Sequence, residues 1–141
     1  MVISIIGILS SFAVVSLNSA RGKARDALRK ADMTQMRTAI MLYYDENNVY
    51  PVCGTWKSGD ADLGANLTAG SACYSGILKT ALSEGARPLL SPMPRDPSNS
   101  TNDPAVSSTY LYRYVSNAAG NEYALVYQIE DNSVLQVIRG W

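Results

Sequence analysis

The sequence predicts an α+β fold, with one long N-terminal helix packed on a small antiparallel sheet of about three strands. Three observations carry this reading. Residues 20–47 contain no proline and one glycine, Gly22, and are dominated by good helix formers. Three β-branched and aromatic runs follow near the C-terminus, at 109–115, 122–130 and 133–139, separated by Asn-, Asp- and Gly-containing turns. The helix and the sheet each offer one apolar face, and each needs the other to cover it.

The helix begins with an uncharged apolar run, Val2 to Leu17, relieved only by serines, Ala13 and Gly7. At 1.5 Å per residue the run covers roughly 24 Å, less than a hydrocarbon core about 30 Å thick. Its position suggests a membrane segment or an export signal. A secretory signal peptide is the alternative, and the stretch 16–20 loosely mimics a cleavage site. No basic residue precedes the run, however, and the helical pattern continues straight through that stretch.

Beyond Asn18 the helix turns amphipathic. Met33, Met36, Ile40 and Tyr43 or Tyr44 recur on one face, and the opposite face is read as carrying Arg25, Arg29 and Asp32. Asn47-Asn48 and Tyr50-Pro51 supply the stop, because proline disfavours helix at the residue before it. The predicted helix is on the order of 70 Å long. Residues 1–20 read as a hydrophobic membrane or filament-core helix. Residues 21–141 read as a globular domain, with amphipathic helix 21–47, loop 48–108 and sheet 109–139.

Within the loop, Tyr74 to Ser83 reads as a short helix closed by Gly85 and Pro88, and the segment 91–104 is rich in proline and Asx turns. In the sheet, alternation groups Tyr110, Tyr112 and Tyr114 on one face with Arg113 opposite. It also groups Tyr123, Leu125, Tyr127 and Ile129, and Leu135 with Val137. These apolar positions are expected to receive the helix stripe.

At 141 residues the chain can build one small domain plus one extended element. A net charge of +0 gives no general pull toward nucleic acid, which is not indicated as a partner. Histidine is absent, which removes the commonest general base and metal ligand. No nucleophile elbow, P-loop, dinucleotide fingerprint or catalytic Cys/His pair is present, and the paired carboxylates Asp45-Glu46, Asp60 and Asp62 sit in polar surroundings. The chain therefore reads as a non-enzyme with no required cofactor.

Cys53 and Cys73 have no CxxC pattern and no histidine beside them, which argues against zinc. In an exported chain they read as a disulfide closing the loop, against the alternative of two buried thiols. Asp96, Asn99, Asn102 and Asp103 offer oxygens for calcium or simply make turns, and their spacing matches no EF-hand. The basic cluster Arg21, Lys23, Arg25, Arg29 and Lys30 either meets anionic lipid headgroups or forms a solvated face partly paired by Asp26 and Asp32.

The segment VISIIGILSSFAVVSLNSARGKARDA resembles the interior of the N-terminal helix of type IV pilins and pseudopilins. The run RKADMTQMRTAIMLYYDENNVYP resembles the continuation of that helix and its Tyr-Pro end, and MPRDP followed by a tyrosine-rich strand resembles the entry to a pseudopilin sheet. The likeness covers the first third of the chain well and the rest in architecture. It implies a structural subunit of an extracytoplasmic filament, assembled through Ile3, Ile5, Ile6, Gly7, Ile8, Leu9, Phe12, Val14 and Val15. It implies as partners like subunits, an inner-membrane assembly machinery, a prepilin peptidase and, before assembly, the bilayer. Some pseudopilins hold calcium in a region comparable to the Asx-rich loop.

Two departures accompany the likeness. The family's leader, processing site and early glutamate would lie upstream of Met1, which stands where the family has an apolar residue. Val15 stands where many pilins have proline. The basic cluster also conflicts with the family's orientation under the positive-inside rule, unless a leader overrides it. The alternatives are a minor pseudopilin of a secretion or DNA-uptake system, or a membrane-anchored surface module that binds a ligand without polymerising.

Overall fold

The structure, a computed structural model, describes residues 2–53, 72–84, 87–99, 110–130 and 134–141, with the backbone alone at residues 7–9 and 11–15. Helix α1 spans Val2–Asn47 without a break. Good helix formers and the absence of proline keep it continuous. It stops where Asn48 takes a left-handed φ of 56° while its N–H still reaches the Tyr44 carbonyl at 2.7 Å. A π-helical turn, Tyr74–Leu78, runs into the short helix α2, Lys79–Ser83.

Strands β1 (Arg113–Ser116), β2 (Tyr123–Gln128) and β3 (Leu135–Gly140) form one antiparallel sheet in chain order. The α+β architecture expected from the sequence is thus present, with a helix on a three-stranded sheet. Met33, Met36 and Ile40 are fully buried against Tyr112, Tyr114, Tyr123, Leu125 and Tyr127, and Tyr43 packs at the edge of the same cluster. Leu78 and Leu82 close its flank. Burying side chains of this size contributes about 1.5–3 kcal/mol each, so the stripe contributes several kcal/mol to the cohesion between helix and sheet.

Two expectations about faces need correction. Leu135 and Val137 do share a face, but it is the face away from the helix, and both are exposed. Register decides this: Leu125 pairs with Ile138, so Ile138 is the β3 residue that packs on the core. Arg25, Arg29 and Asp32 do not lie on the solvent face of α1. Arg29 is fully buried and Asp32 half-buried, because positions 26, 29, 33, 36 and 40 form a single stripe at helical spacing. Tyr110 stands just before β1 with a φ of 53°, and Arg113 is buried rather than solvent-facing.

The exit of α1 is tied to the sheet. Tyr50 N–H donates to the Gly120 carbonyl at 2.8 Å, while the Tyr114 and Ser116 hydroxyls donate to the Pro51 carbonyl at 2.8 and 2.9 Å. Ser116 Oγ in turn accepts from the Cys53 N–H at 2.7 Å. These bonds fix the start of the disulfide loop against β1.

Candidate assembly face of the long helix

Helix α1 has two halves with different surroundings. From Gly22 onward one face is covered by the domain, whereas every side chain described between Val2 and Ala20 is exposed. Val2, Ile3, Ile5, Ile6 and Leu17 are each more than half exposed, with Ile3 at 86%. Isoleucine is seldom left open to this extent along a whole helical segment. The arm is helical because its neighbours in sequence propagate the helix, yet none of its described side chains is covered by the described residues of the domain. The site residues Gly7, Ile8, Leu9, Phe12, Val14 and Val15 lie on the same helical backbone, and their side chains fall outside the described residues. Among the described residues no helix is long and apolar enough to cross a membrane.

The exposed face continues past the arm. Opposite the sheet, Ala20, Ala24, Ala27, Leu28, Ala31, Thr34, Gln35, Thr38 and Leu42 are all exposed, and none is charged. The Thr34 and Thr38 hydroxyls donate back to the Lys30 and Thr34 carbonyls at 2.9 and 3.1 Å, so neither hydroxyl seeks a partner outside the helix. The result is an uncharged helix surface, small or apolar except at Gln35, that another helix can approach closely.

At the junction between arm and domain sits a buried ionic cluster. Arg29 donates through Nε and Nη2 to the two Asp96 oxygens at 2.7 and 3.0 Å, through Nη1 to Asp26 at 2.6 Å, and through Nη2 to Glu130 at 2.9 Å. Arg25 grips Glu130 with two further bonds at 2.7 and 2.6 Å. The Arg29 guanidinium also lies 4.7 Å from the Tyr110 ring centroid. Burial alone would lower the Arg29 pKa, but the bonds from Asp96, Glu130 and Asp26 outweigh it and hold the group charged. Glu130 is pulled down to about 2, chiefly by its bond from Arg25, against a smaller opposing effect of burial. Asp32 is raised by burial, although the Tyr112 hydroxyl donates to it at 2.7 Å. The cluster joins α1, the 96–99 turn and the end of β2, and so sets where the arm leaves the domain.

The basic cluster of the sequence is therefore divided. Arg25 and Arg29 are drawn inward by Glu130, Asp96 and Asp26, while Arg21, Lys23 and Lys30 remain exposed. Asp32 pairs with Tyr112 rather than with that cluster.

Sequence spacing missed the cluster because two of its three acids, Asp96 and Glu130, lie 67 and 101 residues from Arg29. The one available signal was that Asp26 and Arg29 extend the Met33, Met36, Ile40 stripe toward the N-terminus.

Cys53 and Cys73 form the expected disulfide, with Cα atoms 6.0 Å apart. Of the calcium candidates, Asp96 has both carboxylate oxygens on Arg29 and makes an isolated bridge to Asn99, while Asn102 and Asp103 lie outside the described residues. Among the described residues no group of three or more acidic, cysteine or histidine side chains is placed to hold a metal. An open cleft of about 820 Å³ lies between α2 and residues 91–95. Its Lys79 is paired with Glu84 at 2.8 Å, and the Tyr74 hydroxyl already donates to the Pro94 carbonyl.

Comparison with protein-family models, with curated proteins and with solved structures found no match.

Proposed function

We propose that the chain is a structural subunit of an extracytoplasmic filament of the type IV pilus kind, assembled through the exposed face of α1. The observation that supports this most is the apolar arm Val2–Leu17, helical and continuous with the domain helix, whose described side chains are all exposed. Its cost in water is removed only by lipid or by other helices. In this reading lipid holds the arm before assembly and other helices cover it afterwards. Full burial contributes about 1.5–3 kcal/mol for each isoleucine, valine or leucine. The α+β domain stands outside this core and carries the surface that the filament presents. The sequence likeness to pilins and pseudopilins supports the same reading. It also suggests an assembly machinery and a prepilin peptidase as partners.

The test is Ile8→Lys in the full chain, produced alongside its assembly machinery. An unpaired ammonium within a helix bundle costs several kcal/mol, so sheared filament yield is expected to fall at least tenfold. The domain, by contrast, should keep its disulfide and fold. Normal filament yield from this variant would contradict the proposal. A monomeric anchored module is the competing reading, and it predicts chain in membranes with none in a sheared, sedimentable fraction.

A further inference from the structure

The cleft beside α2 is built independently of the apolar arm. One wall is the helical segment 74–83, on which Ser75, Lys79 and Ser83 stand four residues apart in a row. The other is the segment 91–95, which contributes Met93 and Arg95. Both walls are anchored: Leu78 and Leu82 are fully buried in the core, and Leu89, Leu90 and Met93 pack against it. The walls are also tied to each other near their ends. The Leu89 and Leu90 N–H groups donate to the Leu82 carbonyl at 2.8 and 3.1 Å, and the Tyr74 hydroxyl donates to the Pro94 carbonyl at 2.8 Å. The cleft, about 820 Å³, is therefore formed before anything enters it, and its size suits a small ligand or a short peptide.

Charge selects the occupant. Lys79 and Arg95 line the cleft, and among the described residues that line it none is acidic. Glu84 lies outside the lining and pairs with Lys79 at 2.8 Å. Both side chains of that pair are nearly half exposed, so it contributes little and yields to another carboxylate. Arg95 directly follows Pro94 and so stands at the Tyr74 end, while Lys79 lies five residues beyond Tyr74, roughly 7 Å along the helix axis. Alternate residues of an extended chain are separated by about the same distance and point the same way. The row from Ser75 to Ser83 is roughly 12 Å long, enough for about four such residues. Tyr74 is buried, so the cleft offers no exposed ring for a nucleic-acid base to stack on.

We propose that the cleft binds an extended segment of a separate protein in which two glutamates stand at alternate positions. One carboxylate meets Lys79 and displaces Glu84, the other meets Arg95, and the glutamate methylenes lie along Met93. The Ser83 hydroxyl, which donates to the Lys79 carbonyl at 2.8 Å, keeps its oxygen to accept from the backbone of the bound segment.

The test uses the full chain dispersed in non-ionic detergent and a fluorescein-labelled peptide, Ser-Glu-Ser-Glu-Ser, read by fluorescence anisotropy. Saturable binding is expected. It should weaken about tenfold when glutamine replaces both glutamates, and about fivefold when the two glutamates are made adjacent. Lys79→Glu and Arg95→Glu should each weaken it about tenfold while the urea midpoint of the domain stays put. Lys30→Glu, an exposed cation on α1 outside the cleft, should leave binding unchanged. No saturable binding to the unaltered chain, equal binding of the glutamine peptide, or binding indifferent to Lys79→Glu and Arg95→Glu would overturn the site. Equal binding of the adjacent-glutamate peptide would overturn the alternate spacing. A single-stranded oligonucleotide that displaces the labelled peptide at lower concentration than unlabelled peptide does would overturn a peptide as the occupant. Sheared filament yield from Lys79→Glu should match that of the unaltered chain. A loss of yield with the domain folded would make a second copy the occupant and overturn the separate partner. Peptide binding is read on dispersed chains, so failure of the filament reading leaves its outcomes intact.

Discussion

Arg29 shows how a charged side chain can occupy a core position in this chain. Its guanidinium is buried and fully engaged, so its worth lies less in net attraction than in the cost of removing it. Arg29→Met would leave Asp96 and Asp26 buried without their cation. The expected loss is about 3–5 kcal/mol of unfolding free energy, measured by urea denaturation. Arg29→Lys should recover only part of this, since an ammonium cannot make the forked contact to Asp96.

Glu130 supplies a pH dependence. Its carboxylate is held at about 2 in the folded chain, below its ordinary value of 4.5, so it binds protons more readily when unfolded. Its contribution is present in full above pH 4.5 and is lost as pH falls toward 2. Because the side chain keeps a solvent-facing edge, the contribution is about 1–2 kcal/mol after screening. Glu130→Gln should flatten the acid limb of a stability-against-pH profile, and a limb of unchanged slope would contradict the assignment. Residues of this kind were the least legible in the sequence. Helical spacing places Arg29 on the buried stripe, but nothing local reveals Asp96 or Glu130 as its partners.

At the scale of elements, α1 and the strands were readable from periodicity, because proline-free helix formers and alternating aromatic runs leave few other solutions. Which face of β3 meets the helix was not readable. Alternation groups Leu135 with Val137, and only the pairing of Leu125 with Ile138 decides that the group faces outward. The connection between α1 and the sheet depends on one turn. Gly120 has a φ of 66°, and a Cβ there would collide with the Val49 and Val52 side chains. Gly120→Ala is expected to cost about 1–3 kcal/mol, read as a lowered Tm, through both the positive φ and the lost fit at the helix exit. The disulfide acts on the same region by closing the loop from Cys53 to Cys73. Replacing both cysteines by serine should lower stability by about 3 kcal/mol in the chain-entropy model, measured by denaturant midpoint under non-reducing conditions.

The whole molecule is a domain attached to one half of a helix whose other half, among the described residues, has its side chains exposed. The apolar composition of that half was plain in the sequence. Its continuation as an uncharged face over Ala24–Leu42 was not, since it emerges only once the sheet fixes which side of α1 is covered. The central claim is that this surface becomes an interface between copies. The most direct measurement is the rate at which a small, membrane-permeant maleimide labels Ile6→Cys, in sheared surface assemblies and in detergent-dispersed monomers. Val134→Cys, on the exposed flank of the sheet, serves as the control. The account predicts at least tenfold protection of position 6 on assembly, with the control unchanged. Equal labelling of position 6 in both states would contradict it.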